Sequence, residues 1–322
     1  MPNIKGFYPG LEMCGKNFTV KWMDSWGRAR RQYTVCNVMR LDVYKTVCEL
    51  LAPERYYDRK IREKVLQAKA QEMQNTSDNE EGVYPDNINT EGGATEEGSL
   101  SASERPVELT REQKLEKLNN LLTTEDRNQI DLIVKNYRHP PGVSIRFFVH
   151  LDYQTFLCKG PMGKGLNASG EGVHIAFAGG VGMLPFADLI AQLAYFNLGL
   201  RHLLGDEKTG MITENFKLIF FVSYRSRKEA VGIHLLEALD FYCKKNNVKN
   251  FELHLRISSE NKGGERWDAA WIDKQLASYN SKNVKKIWVC GPPVMSETFE
   301  TKFCEYQRAD ANRFGTNVLE IL

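Results

Sequence analysis

The sequence has little that would mark a secreted, membrane-spanning or nucleic-acid-binding protein. Its seven cysteines are spread along the chain without a CxxC pair, which argues against a disulfide framework or a zinc ribbon and favours a reducing compartment. No uninterrupted apolar run approaches the ~20 residues of a membrane span. Residues 1–18 lack the layout of a signal peptide. A formal net charge of +2 argues against nucleic acid as a partner.

The length and the pattern of the chain favour two modest domains. It has 322 residues, of which 42% are hydrophobic. Near the N-terminus, residues 17–23 alternate apolar and polar side chains, which predicts a half-buried strand, and a second strand is predicted through residues 31–35.

The C-terminal half alternates predicted strands and predicted helices. The strands are predicted at 174–178, 217–224, 251–257, 286–290 and 317–321, and the helices at 186–199, 227–246, 271–279 and 294–307. Such alternation predicts a parallel sheet that is covered by helices on both faces.

A charged block at about residues 50–127 reads as an insertion. Residues 53–74 predict a solvated helix, and residues 76–104, which contain no Lys or Arg, bury too little apolar surface to be ordered. A second helix is predicted from Thr110, where Gln113 completes a capping-box pattern. The insertion therefore resembles two helical arms around an acidic tip.

Two glycine-containing turns, each between a predicted strand and a predicted helix, carry the functional signal. They are Ala178-Gly179-Gly180-Val181-Gly182-Met183-Leu184-Pro185 and Cys290-Gly291-Pro292-Pro293-Val294-Met295. Glycine leaves no side chain in the way of a ligand, and the helix N-termini aim free N–H groups at it. The pair predicts a dinucleotide-binding α/β domain, although either motif alone is also typical of a tight turn without a ligand.

The strand at 217–224 ends in a basic segment that bears on the choice of nucleotide. Arginines at such a site accept the extra phosphate of NADP, whereas acidic residues favour a ribose hydroxyl. Arg225 and Arg227 therefore favour NADPH. A solvated basic loop explains the same residues, so the choice between NADH and NADPH stays open.

Four segments, in chain order, resemble the ferredoxin–NADP reductase-like flavoproteins, and within them the cytochrome b5 reductase and nitrate reductase branch. The segments are Arg31-Gln32-Tyr33-Thr34, Pro141-Gly142-Val143-Ser144, Gly179-Gly180-Val181-Gly182 with Pro185, and Cys290-Gly291-Pro292-Pro293-Val294-Met295. They are similar to the family's R-x-Y-S/T motif, its second FAD segment, its GGTG-x-TP turn and its CGPPxM segment. The resemblance covers residues 17–40 and 128–322 and leaves the insertion outside.

The resemblance implies FAD and either NADH or NADPH as cofactors. Arg31 would pair with the FAD pyrophosphate, Tyr33 would pack along the flavin, and the Thr34 hydroxyl would hydrogen-bond the flavin near its reactive nitrogen. The backbone of Gly142 and Val143, with the Ser144 hydroxyl, would hold phosphate. The nicotinamide would be bracketed by two sets of residues: Gly179, Gly180, Val181, Gly182 and Pro185 on one side, and Cys290, Gly291, Pro292, Pro293 and Met295 on the other. Cys290 would lie near the carbon that gives up hydride, so Thr34 and Cys290 are the implied catalytic residues.

The resemblance also implies the fold and the domains. We expect an FAD-binding β-barrel domain over residues 1–165, interrupted by the insertion at about 50–127, and an NAD(P)-binding α/β domain with a parallel sheet over residues 166–322. Only about 16 residues precede the segment 17–23, whereas the family barrel has about two further strands there. We therefore expect an incomplete barrel or the C-terminal part of a longer chain.

The implied function is an oxidoreductase that passes hydride from NAD(P)H to FAD, and then single electrons to a haem protein such as a cytochrome b5-type acceptor or to another one-electron acceptor. Val181 and Leu184 stand where the family usually has Thr. One alternative is therefore a catalytically degenerate member that acts as a structural or assembly subunit, with the insertion binding a partner. The other is the reductase portion of a ferric reductase or NADPH oxidase. We expect a cytoplasmic protein, held at the cytosolic face of a membrane where a partner or an upstream region provides an anchor.

Overall fold

The computed structural model describes residues 14–24, 27–34, 36, 41–55, 109–123, 133–134, 157–201, 212–260, 267–279, 284–310, 313–314 and 318–322. The strands in these residues are β1 Asn17–Asp24, β2 Gly27–Thr34, β3 Leu157–Met162, β4 Gly172–Gly179, β5 Phe216–Tyr224, β6 Phe251–Ile257, β7 Val284–Cys290 and β8 Leu319–Ile321. The α-helices are α1 Leu41–Leu51, α2 Arg111–Thr123, α3 Ala187–Asn197, α4 Ile233–Lys245, α5 Ala269–Leu276 and α6 Pro293–Ala309. None of the described helices has the length and apolar character that crossing a lipid bilayer requires.

The C-terminal strands form one five-stranded sheet in the order β6-β5-β4-β7-β8. Every neighbouring pair is parallel. The predicted parallel sheet is confirmed, and each predicted strand overlaps an observed one.

Helices cover both faces of this sheet because its side chains alternate between two apolar layers. On β4, Ala176 and Ala178 face the layer that holds α3 and α4. Ile175 and Phe177 face the layer that holds α5 and α6. Phe177 is fully buried there, with its ring 4.8 Å from Phe221 and 4.6 Å from Phe299.

The strand order creates a topological switch point between β4 and β7. Strand β4 has β5 as its neighbour on one side and β7 on the other. The chain reaches β5 through α3, on one face of the sheet, and reaches β7 through α5, on the opposite face. Open α/β sheets bind ligands outside the carboxyl ends of strands at such a point. The parallel register pairs Ala178 with Cys290, so the two glycine turns leave the sheet side by side.

The N-terminal strands form a separate antiparallel sheet in the order β2-β1-β3. Both predicted strands are observed, and β2 begins at Gly27, earlier than predicted. Within the described residues these three strands do not close into a barrel, and most of the chain between β2 and β3 lies outside that part. The barrel and the two domain boundaries therefore stay predictions.

The second arm of the insertion, helix α2, packs onto α1. The capping box at the start of α2 is confirmed, since the Thr110 amide donates to Gln113 Oε1 at 2.9 Å and the Gln113 amide to Thr110 Oγ1 at 3.3 Å. Leu118 of α2 is fully buried, and α2 contacts α1. Helix α1 ends at Leu51. Most of the helix predicted at 53–74 and all of the acidic tip lie outside the described residues.

One predicted helix begins later than its pattern indicated. Helix α4 was predicted from residue 227 and begins at Ile233, after a single 3₁₀ turn at Arg227–Glu229. Gly232 has a φ of 72°, a left-handed conformation that interrupts a right-handed helix and that glycine adopts without strain. The loop between β5 and α4 is therefore longer and carries Arg225 and Arg227 outside the helix.

Candidate functional site

The two glycine turns lie in backbone contact at the carboxyl edge of the sheet. The first consists of Gly179 and the 3₁₀ turn Gly180–Phe186, and the second joins β7 to α6. A Cβ on Gly179 would lie 2.7 Å from Pro292 Cδ, and a Cβ on Gly291 would lie 3.2 Å from Gly179 Cα. A larger residue at Gly179 would require the second turn to move, and a Cβ on Gly291 would also lie 2.7 Å from Met295 Sδ.

Gly182 makes the closest approach. A Cβ there would lie 2.1 Å from the Cys290 carbonyl oxygen and 3.0 Å from the Gly291 nitrogen, which is far inside contact distance. Gly180 differs, because it has a φ of 57° and a Cβ there would meet no described atom within 4 Å. The first turn therefore has one packed side, at Gly182, and one open side, at Gly180 and the 37% exposed Val181.

Two helices begin at this edge without a side-chain cap. Neither Gly179, ahead of the 3₁₀ turn, nor Pro292, ahead of α6, accepts a hydrogen bond through its side chain from the first turn. Pro293 at the first position of α6 has no N–H to satisfy. At the start of α6 the Met295 and Ser296 amides already donate to the Pro292 carbonyl oxygen, at 2.9 and 3.2 Å, which leaves the Val294 amide as the first-turn donor without an acceptor in the helix. The positive end of the helix dipole favours an anionic group there. The edge is thus suited to a phosphate-bearing ligand.

The R-x-Y-T segment ends against the first glycine turn. Cys36, which is fully buried, places its Sγ 3.6 Å from the Thr34 carbonyl oxygen and 3.8 Å from the Leu184 carbonyl oxygen. Because a thiol is a weak donor, this contact fixes position more than it adds stability. It brings the end of β2 to the turn that contains Pro185.

The rest of the predicted flavin site is described only in part. Arg31 pairs with Val20 and Tyr33 with Phe18 across the β1–β2 ladder, so Arg31 and Tyr33 share one face of the strand and Thr34 lies on the other. Tyr33 and Thr34 are half-buried. The predicted phosphate-binding residues Gly142, Val143 and Ser144 lie outside the described residues.

A second tether joins the segment ahead of β1 to β7. The Leu166 amide donates to the Cys14 carbonyl oxygen at 2.7 Å, and Trp288 Nε1 donates to the Leu166 carbonyl oxygen at 2.9 Å. Cys14, Leu166 and Trp288 are all fully buried. Since β7 ends in Cys290, this tether and the Cys36 contact hold the N-terminal sheet to both strands of the switch point.

Cys290 is a half-buried neutral thiol. Burial raises its pKa to about 11, because the charged form would lose solvation. A thiol with that pKa stays protonated near neutral pH and is a poor nucleophile. Its place at the end of β7, beside the first glycine turn, suits a residue that contacts a ligand without reacting with it.

The loop after β5 gives its two arginines different environments. Arg227 Nη1 lies 2.7 Å from Glu237 Oε1, and Arg227 Nε lies 2.9 Å from Glu260 Oε1. Arg225 is exposed and makes no ion pair with any residue in the described ranges. Two carboxylates already neutralise Arg227, so of the two predicted NADP ligands only Arg225 is available to a phosphate.

Comparison with known proteins finds likeness in structure alone. No family model and no curated protein sequence matches the chain. Among solved structures, the cytochrome b5 reductase domain of Ulva prolifera nitrate reductase matches at 13% identity and a TM-score of 0.48, over 94% of this chain and 83% of that one.

Two further matches belong to longer proteins. The flavohemoglobin from Malassezia yamatoensis, solved with bound FAD and heme, matches at 12% identity and a TM-score of 0.46, over 97% of this chain. An intact type IV self-sufficient cytochrome P450 monooxygenase matches at 12% identity and a TM-score of 0.42, over 96% of this chain. The chain spans 52% and 23% of their lengths. These identities and TM-scores are low, so a function has to be argued from the chain's own residues.

Several residues of the site carried no usable signal in the sequence. Cys36 reads as an ordinary small apolar residue, and only its contact with Leu184 shows what it does. The two carboxylates that pair with Arg227 are distant in sequence. Glu237 lies 10 positions further along, on α4, and Glu260 lies 33 positions further along, after β6. Helix α1 could have been found, because Val43, Val47, Leu50 and Leu51 repeat at helical spacing and are buried.

Proposed function

We propose that this chain is a flavoprotein oxidoreductase that transfers hydride from NAD(P)H to FAD and passes single electrons to a haem protein. The observation that carries the proposal is the backbone contact between the Gly182 and Cys290 turns at the switch point, with the end of β2 held to the same turn through Cys36. This arrangement unites the segments that resemble the family's flavin and nicotinamide motifs, although they are far apart in sequence. The resemblance alone supports a haem protein as the acceptor.

The residues at the edge fit a nicotinamide dinucleotide. Gly180 leaves open space where any other residue would place a side chain, and the uncapped start of α6 suits a pyrophosphate. In this proposal the nicotinamide lies on the open side of the first turn, over Gly180 and Val181, and not between the two turns. Cys290 contacts it from the end of β7 and, being neutral, places no charge beside the ring.

The residues of β2 fit the flavin in the same proposal. Arg31 pairs with the pyrophosphate, because a guanidinium forms two parallel hydrogen bonds with phosphate oxygens. Tyr33 packs along the isoalloxazine ring, and the Thr34 hydroxyl donates to it. FAD, when bound, supplies the ability to accept a hydride and release electrons singly. What the chain contributes is position, since no acid–base pair is required.

The test of flavin binding uses two adjacent arginines. Arg31 and Arg30 are neighbours on β2, so they lie on opposite faces of the strand and only Arg31 shares a face with Tyr33. The purified chain, incubated with FAD and separated from the excess, should show flavin absorption bands at one FAD per chain. Arg31→Ala should lose the bands and Arg30→Ala should keep them. A chain that retains no flavin, or that loses it equally with either substitution, would rule the proposal out.

A further inference from the structure

Helix α1, which leads into the insertion, packs along α4 of the C-terminal sheet. Both helices run in the same direction, since Tyr44 of α1 meets the start of α4 and the residues just after α1 meet its end. There Glu54 lies 2.5 Å from Lys245 Nζ, and the Arg55 guanidinium lies 4.9 Å from the centre of the Phe241 ring. The contact extends over the length of α4.

Tyr44 provides what the start of α4 lacks. Gly232 at the cap position has no side chain to accept a hydrogen bond from the first turn. The Leu235 amide donates to the Tyr44 hydroxyl at 3.2 Å and shares this bond with the Gly232 carbonyl at 3.1 Å. A residue from outside the sheet unit therefore caps the helix that follows the β5–α4 loop.

The same loop is fixed at its other end by a second tyrosine. The Tyr224 hydroxyl, buried at the end of β5, donates to the Val231 carbonyl oxygen at 2.6 Å. Burial and the nearby Tyr44 hydroxyl raise the pKa of Tyr224, so it stays a neutral donor. The loop between them carries Arg225 and Arg227, and its shape depends on both tyrosines.

We propose that Tyr44 is a positioning residue for the nucleotide-binding loop, so that helix α1, which leads into the insertion, is coupled to nucleotide affinity. The inference rests on the proposed function and on the expectation from the sequence that the ribose end of the nucleotide lies at Arg225 and Arg227, in the β5–α4 loop. The resemblance to the flavoprotein family covers residues 17–40 and 128–322, so helix α1, which begins at Leu41, lies outside it. This coupling therefore belongs to the present chain. Displacing α1 loosens the loop and weakens nucleotide binding without touching the nicotinamide edge.

The experiment compares two tyrosine hydroxyls that form hydrogen bonds near opposite ends of α4. Tyr44→Phe removes the bond at the start of α4, and Tyr242→Phe removes the bond that Tyr242 donates to the Asn197 carbonyl at 2.8 Å near its end. Tyr44→Phe should raise the KM for NADH and the Kd for 5′-AMP about threefold to tenfold and leave kcat unchanged. Hydrogen exchange of amides 225–236 should quicken. Tyr242→Phe should change none of these.

The outcomes separate this inference from the proposed function. If Tyr44→Phe matches the wild type in 5′-AMP affinity and amide exchange, or if both variants weaken binding equally, the coupling is overturned. If the chain oxidises no NADH, the proposed function fails. The amide exchange of residues 225–236 needs no flavin and still decides whether Tyr44 fixes the loop.

Discussion

Gly182 and Cys290 meet backbone to backbone, so closely that a Cβ on Gly182 would lie 2.1 Å from the Cys290 carbonyl oxygen. The contact joins the first glycine turn, after β4, to the second, after β7. Glycine at position 182 is required by packing, and glycine at position 180 by its φ of 57° and by the space beside it. The two glycines of one motif therefore have different physical roles, which substitution can separate.

Gly182→Ala should destabilise the fold. The new methyl group forces the two turns apart, an overpacking change that costs about 1–3 kcal/mol. Urea denaturation should show a lower free energy of unfolding for the variant. The folded variant should also bind nucleotide more weakly, because its two turns have shifted.

Gly180→Asn is the matched substitution in the same motif. Asparagine tolerates the left-handed conformation, and its side chain enters open space, so the free energy of unfolding should change little. The side chain occupies the position proposed for the nicotinamide, so NADH binding should weaken all the same. Equal loss of stability in the two variants would contradict the assignment of a packed side and an open side.

Glu260→Gln should increase the use of NADPH relative to NADH. The substitution removes one of two carboxylates that neutralise Arg227, which frees the guanidinium for a phosphate and lowers the repulsion against it. The ratio of kcat/KM for the two nucleotides is the quantity to measure. Glu252→Gln, which breaks the 2.8 Å ion pair with Lys217 elsewhere on the sheet, should leave this ratio unchanged. A ratio that moves equally in both variants would show that Arg227 does not select the nucleotide.

His174 should make the protein less stable in acid. Burial, and secondarily the charges of Lys285 and Lys286, lower its pKa to about 4 from an ordinary 6.5, and its Nε2 has no hydrogen-bond partner among the described residues. In the unfolded chain His174 takes up a proton as the pH falls below 6.5, whereas in the folded chain it does so only near pH 4. The stability that the neutral ring contributes is therefore fully present above pH 6.5 and is lost as the pH falls. At pH 5 the loss should be about 2 kcal/mol.

His174→Phe isolates that contribution. The His174 ring stacks on Phe216 and Trp288, with ring centres 4.6 and 5.3 Å apart. Phenylalanine keeps this stacking and cannot take up a proton. The free energy of unfolding of the variant should change less than that of the wild type between about pH 7 and pH 5. Identical pH dependence in the two proteins would show that His174 is not the group that titrates.

Cys290→Ala should slow the reduction of the flavin and leave flavin binding intact. Loss of a residue that positions the nicotinamide should cost about tenfold to a hundredfold in rate. Because the thiol titrates only near 11, the variant should keep the pH dependence of the wild type. Stopped-flow absorbance measures the rate, with Cys304→Ala, an exposed cysteine of α6, as control. A rate that matches the wild type would remove Cys290 from the site.

Much of the fold followed from the sequence because local pattern and tertiary environment agree there. The strands of the C-terminal sheet are short apolar runs between turn residues, and the start of α2 is a capping box that Thr110 and Gln113 form as predicted. The glycine turns were found for the same reason, since glycine is spaced where two backbones meet. Their juxtaposition follows once β4 and β7 are known to be parallel neighbours.

What the sequence did not show depends on contacts between distant residues. Helix α1 was missed, although it carries an apolar stripe, and its contact with α4 follows from no local pattern. The pairing of Arg227 with Glu237 and Glu260 was not indicated by its residue type, and it leaves Arg225 as the available candidate for the extra phosphate of NADPH. The start of α4 was placed too early because the left-handed Gly232 interrupts an otherwise helical pattern.

Hydride transfer from NADH to bound FAD can be seen in the absorption spectrum of the FAD-loaded chain under anaerobic conditions, before and after NADH is added. We expect flavin bands that bleach when NADH is added, and that bleach more slowly in Cys290→Ala than in Cys304→Ala. A chain that holds FAD but keeps its bands with both NADH and NADPH would contradict hydride transfer at the edge where the two glycine turns lie.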